Sequence, residues 1–97
     1  MGKVYTTQDN LTLYVETGAD LTDAANTVIE GTDPDGTAIT PLGATIESAS
    51  DGLITYNITS TDFITAGTYI LWVKINYVGG STSWGEPFHF NVYETGD

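Results

Sequence analysis

The chain contains no cysteine and no arginine, two lysines, one histidine, three prolines and no long apolar run in its 97 residues. Each shortage removes a class of function. Without cysteine there is no disulfide framework, thiolate metal site or Cys-His catalysis, and stability must come from packing. A single histidine excludes a multi-histidine zinc site, and the lack of arginine excludes an arginine phosphate clamp. Thirteen acidic residues against two lysines leave a net charge of −11. Nucleic acid and anionic membranes are therefore excluded as partners, because both need a basic surface. The acids are scattered along the chain, which suits solubility and self-avoidance at high local concentration. No stretch has the length of a signal-peptide core or a bilayer span.

What is present is a β-rich composition with turn residues about every dozen positions. Leu11, Leu13 and Val15 alternate with Thr12, Tyr14 and Glu16. Residues 26–32 form a third strand after a short edge strand at 3–7, and residues 20–25 read as a connection with room for one helical turn. Asp33-Pro34-Asp35-Gly36 and Ser50-Asp51-Gly52 are turns, since Pro presets φ and Gly permits positive φ. Residues 37–48 return as a strand interrupted near Pro41 to Gly43, at an edge or a bulge. Ile54, Tyr56 and Ile58 share one face of the next strand, and Phe63 plugs one end of the core from the crossing segment.

Residues 67–86, GTYILWVKINYVGGSTSWGE, form a hairpin with one tryptophan on each arm. Gly79-Gly80 suits a two-residue primed turn. Gly85, Glu86 and Pro87 place a bulge in the return arm, after which Phe88, Phe90 and Val92 point inward and His89, Asn91 and Tyr93 outward. About seven strands in a hundred residues is the arithmetic of an all-β, immunoglobulin-like, two-sheet antiparallel sandwich, a single domain over residues 1–97.

Few side chains suit chemistry. His89 lies at an outward strand position, no serine sits in a nucleophile elbow, and no glycine-rich loop opens a helix. The chain is thus expected not to be an enzyme and to need no cofactor. Asp33, Asp35 and Asp51 are weak candidates for a calcium site. Aspartates in turns ordinarily bond their own backbone, and the spacing is not that of an EF-hand. The surviving signal is aromatic. Ile70, Trp72 and Val78 alternate with Tyr69, Leu71 and Val73, and both sets are apolar. The pattern admits two orientations, with Trp72 in the core or on an outer face. In the second, Ile70, Trp72, Val78, Trp84 and Tyr93 form an interface, since Trp and Tyr commonly anchor binding.

Several elements together resemble a family of short tailed-bacteriophage virion proteins with an immunoglobulin-like domain akin to the N-terminal domain of phage baseplate upper proteins. They are Gln8-Asp9, Thr17-Gly18 with Asp20-Leu21, Pro34-Asp35-Gly36, Ala66-Gly67 before Tyr69, and Gly85-Glu86 before the final strand. The resemblance implies a non-catalytic virion structural protein, a docking or cement-type decoration subunit on capsid, neck or tail. Its partners would be other virion proteins, met as a homo-oligomer or as lattice-bound copies. They would dock on the aromatic hairpin face or by strand addition at an open sheet edge. Thr65 to Tyr69 is also similar to the tyrosine-corner signature of immunoglobulin domains. Thr65 stands where an acid is usual and Leu71 where the second cysteine would be, so the Tyr69 hydroxyl bond is left open and the inter-sheet disulfide is absent. The alternative reading is a carbohydrate-binding module stacking sugars on exposed Trp and Tyr.

Overall fold

The computed structural model describes residues 4–6 and 11–94. Eight strands follow one another: β1 (Val4–Tyr5), β2 (Leu11–Glu16), β3 (Ala24–Thr32), β4 (Leu42–Ser48), β5 (Leu53–Ile58), β6 (Gly67–Tyr77), β7 (Thr82–Trp84) and β8 (Phe88–Tyr93). Among the described residues there is no helix. Residues 20–23 form a turn, and Ala24 and Ala25, expected in the connection, already belong to β3, with Ala24 N–H bonded to Leu21 C=O at 3.0 Å. The helical turn allowed for in the connection is therefore absent. Asp20 instead closes its own turn by accepting from the Thr22 N–H and hydroxyl. Lys3, Thr7 and the Gln8-Asp9 pair lie outside the described residues.

The strands form two sheets joined by one of their members. The first runs β1-β8-β6-β3, with β7 also on β6, and ends on residues 42–44 of β4. The second takes the remainder of β4, then β5 and β2. The chain between Ala44 and Thr45 thus carries β4 from one sheet to the other. The strand expected from residue 37 begins only at Leu42: residues 37–41 carry a single bridge, Ala38 with Thr32, and Gly43 is paired, opposite Val28, so the strand is not interrupted there. With β2-β5-β4 on one side and β3-β6-β8 on the other, the pairing is that of strands B-E-D and C-F-G of an immunoglobulin sandwich.

Both sheets send their alternating apolar positions into one core: Leu13, Val15, Ile54 and Ile58 from one, Ile29, Leu71, Val73, Ile75, Phe90 and Val92 from the other. Leu71, at the position of the missing second cysteine, is fully buried. Aliphatic packing replaces the disulfide there. Leu21 and Phe63 close opposite ends. Leu21 hangs from Ala49 C=O beside the β4–β5 turn. Phe63 meets Tyr69 edge-on at 5.1 Å and Phe90 at 5.0 Å.

Tyr69 forms the tyrosine corner. Its hydroxyl donates to Thr65 C=O at 2.9 Å and accepts from Thr65 N–H at 3.3 Å. Both partners are main-chain atoms, so these two bonds do not require a particular side chain at position 65. That resolves the point the motif left open. Two glycines are required by close approach. A Cβ on Gly31 would stand 2.2 Å from Ile70 O, where β3 and β6 meet, and one on Gly52 (φ +70°) 2.2 Å from Ala19 O.

The β6–β7 hairpin closes over three residues, Val78-Gly79-Gly80, and not over two. Asn76 pairs with Thr82, and Tyr77 N–H donates to Ser81 C=O at 2.8 Å. Both glycines have positive φ, 114° and 95°. They satisfy the conformational demand that suggested a primed turn, but one position later in the loop.

Candidate docking surface and open groove

Burial settles which way β6 faces. Tyr69, Leu71, Val73 and Ile75 are buried, so Ile70, Trp72, Lys74 and Asn76 point to the outer face of the larger sheet. That face is organised in cross-strand rows. Thr32, Ile70 and His89 form one, Glu30 and Trp72 the next, then Val28, Lys74 and Trp84, then Asn26, Asn76 and Thr82. Side chains lock the rows laterally. Asn76 Nδ2 donates to Asn26 Oδ1 at 2.7 Å, Thr82 Oγ1 to Asn76 Oδ1 at 3.3 Å, and Thr68 Oγ1 to Asn91 Oδ1 at 2.9 Å. Trp72 Nε1 donates to Glu30 Oε1 at 3.1 Å.

The five residues expected at an interface do not make one patch. Ile70, Trp72 and Trp84 do: Ile70 is 39% and Trp84 59% exposed, and the half-buried Trp72 lies between them in register. Val78 is exposed but belongs to the hairpin loop at one end, its N–H bonded to Asp23 C=O. Tyr93 stands at the far end of β8, against the ring of Tyr5 with centroids 6.4 Å apart. The period-two pattern runs on through Val78, but the strand does not, because the loop takes that residue out of the sheet.

Charge sharpens the picture. Glu30 is the one carboxylate at the strand positions of this face among the described residues, and it is engaged by Trp72. Lys74, the one described basic residue, sits between Val28 and Trp84 on the same face. The acids crowd the turns, edges and second sheet instead. Position 74 would have been expected on this face from periodicity. The depletion of acids around it was not evident until the strand order placed β3 beside β6.

The aspartates of the candidate calcium site are not brought together. Asp33 spends Oδ1 on the N–H groups of Asp35 and Thr37, both at 2.9 Å, in the turn before β4. Asp51 accepts from Ser48 Oγ at 3.0 Å in the turn after it. These turns lie at opposite ends of β4. Among the described residues no group of three or more His, Asp or Glu side chains is placed to hold a metal ion. His89 is exposed opposite Ile70, with no serine or aspartate as its cross-strand neighbour among the described residues.

A second feature escaped the sequence. On the return arm three residues, Gly85 to Pro87, oppose two on β6, Trp72 and Val73, which is the expected bulge. Beside it a groove of about 740 Å³ separates the bulge from β2. Leu13, Val15, Val73 and Phe88 line it, and Tyr14, Glu16, Trp84 and Glu86 border it.

The topology and the tyrosine corner define an immunoglobulin-like β-sandwich. Among solved structures the chain is similar to CopC from Methylosinus trichosporium OB3b, with a TM-score of 0.60, 15% identity, and coverage of 100% of this chain and 89% of that one. At such identity the likeness shows the fold alone. No family model matches the chain, and no curated protein does.

Proposed function

We propose that this protein is a non-catalytic docking module, a structural subunit of a tailed-bacteriophage virion that packs against copies of itself or other virion proteins through the outer face of the larger sheet. The observation that carries the reading is the band of Ile70, Trp72 and Trp84 on a face nearly cleared of carboxylates in a chain of net charge −11. Interface cores are depleted in charge and enriched in aromatics in this way, while the acidic remainder keeps subunits soluble until they meet. The sequence resemblance supplies the virion setting. A small face gains avidity when it is repeated on a lattice. On this reading the protein is made in the host bacterial cytoplasm and ends in the virion.

Light scattering and cross-linking test the docking face. The expected result is a discrete oligomer, or attachment to capsid or tail particles, that is lost on Ile70→Lys with Trp84→Asp while the monomer stays folded. An unchanged assembly state in that double variant would overturn the proposal.

A further inference from the structure

The groove between β2 and the bulge lies where both sheets end. Among the described residues β2 pairs with β5 alone, β7 with β6 alone, and β8 meets β1 only at Val92 and Tyr93. Two strand edges whose main-chain N–H and C=O groups have no ladder partner among the described residues therefore flank the groove, and the core side chains Leu13, Val15, Val73 and Phe88 form its floor. An exposed edge of this kind is a template for an added strand. Its charged border is wholly acidic: Glu16 and Glu86, both exposed.

We propose that this groove receives an extended, lysine- or arginine-bearing segment of a different protein, added as a strand along the free edge of β2. Alternate side chains of the segment would enter the apolar floor, and the others would reach Glu16 and Glu86. The groove is lined by residues 13–18, of which 13–16 belong to β2, so the ladder takes about four residues of partner, roughly 13 Å. A second copy of this chain is a poor occupant. It brings a charge of −11 and only two lysines, and Lys74 already lies in a strand paired on both sides. The inference stands apart from the docking face, of which only Trp84 borders the groove.

The test is a ¹⁵N–¹H NMR titration of the full chain with a blocked eight-residue peptide alternating valine and lysine. Saturable shifts are expected at the amides of residues 13–18 and of Gly85 and Glu86. Binding should weaken about tenfold in Glu16→Gln with Glu86→Gln, which removes two exposed carboxylates and leaves the fold intact. The same peptide with alternate amides N-methylated should not bind, because it cannot join the ladder. Equal binding of the methylated peptide, or no shift along β2, would overturn the proposal. So would shifts at Tyr14 and Trp84 with cellohexaose but none with peptide, which would reassign the groove to sugars. Assembly lost in the Ile70 and Trp84 variants with peptide binding retained in Ile70→Lys would separate the two sites.

Discussion

The indole of Trp72 and the carboxylate of Glu30 sit directly opposite one another on β6 and β3, joined by an N–H···O bond of 3.1 Å on the outer face of the sheet. The contact ties Trp72 to the neighbouring strand and engages the one acid at the strand positions of this face among the described residues. Glu30→Ala should leave the half-buried indole N–H without its partner and cost about 1 kcal/mol in urea denaturation. Trp84→Ala, at an exposed position, should cost less, about 0.5 kcal/mol or under. If Trp84→Ala unfolds the domain, the orientation of the face is wrong.

The tyrosine corner makes a paired prediction. Tyr69→Phe removes a hydroxyl that both donates to and accepts from the Thr65 main chain, and should lower stability by about 1–2 kcal/mol. Thr65→Ala should cost less than Tyr69→Phe, because both of those bonds go to the main chain at position 65 and survive the change. Comparable losses in the two variants, read from denaturation midpoints, would show that the corner depends on the residue at 65.

Gly31→Ala and Gly52→Ala should each cost at least about 2 kcal/mol. In the first, the new methyl meets main-chain atoms of β6 that cannot retreat without parting β3 from β6. In the second, a left-handed φ adds strain to the clash with Ala19. Gly36→Ala, at φ +85° but in open space, should cost less than Gly52→Ala, which isolates the steric part.

Alkaline pH should weaken the fold through Tyr56. Burial first, then the hydrogen bond and charge of Asp62, push its hydroxyl up to about 12. Burial also raises Tyr69. A phenol whose folded pKa exceeds its unfolded value of about 10 stabilises the native state fully below pH 10. That contribution is lost as pH climbs from about 10 through 12, because the unfolded chain releases its proton first. Denaturation at pH 8, 10 and 11.5 should show falling stability, with a shallower fall in Tyr56→Phe. The slope will be modest, since Tyr56 is partly solvated and its interaction with Asp62 is screened.

Much of this fold was legible from alternation and turn chemistry. Leu13 and Val15, Ile54 and Ile58, and Phe90 and Val92 follow a period of two that no other element could bury so simply, and Asp33 to Gly36 is a turn by the mechanics of its residues. The bulge at Gly85 to Pro87 was equally readable, because a proline there cannot donate to β6. The hairpin loop was not. Two glycines with positive φ fit a two-residue or a three-residue closure, and only the register of Asn76 with Thr82 selects between them. Asp51 looked equivalent to Asp33 and Asp35 in one dimension but lies in a turn at the other end of β4.

Side-chain pattern alone determined that this chain is an all-β sandwich closed by packing, since apolar residues at every second position must be buried against something and no cysteine can help. Tertiary structure decided what the pattern left symmetric. Both faces of β6 carry large apolar residues, and only the second sheet, closing over Tyr69, Leu71 and Val73, makes one of them the core and turns Trp72 outward. Strand order, a long-range property, also cleared the acids from that outer face and, among the described residues, left β2 and the bulge facing one another across a groove without a ladder partner.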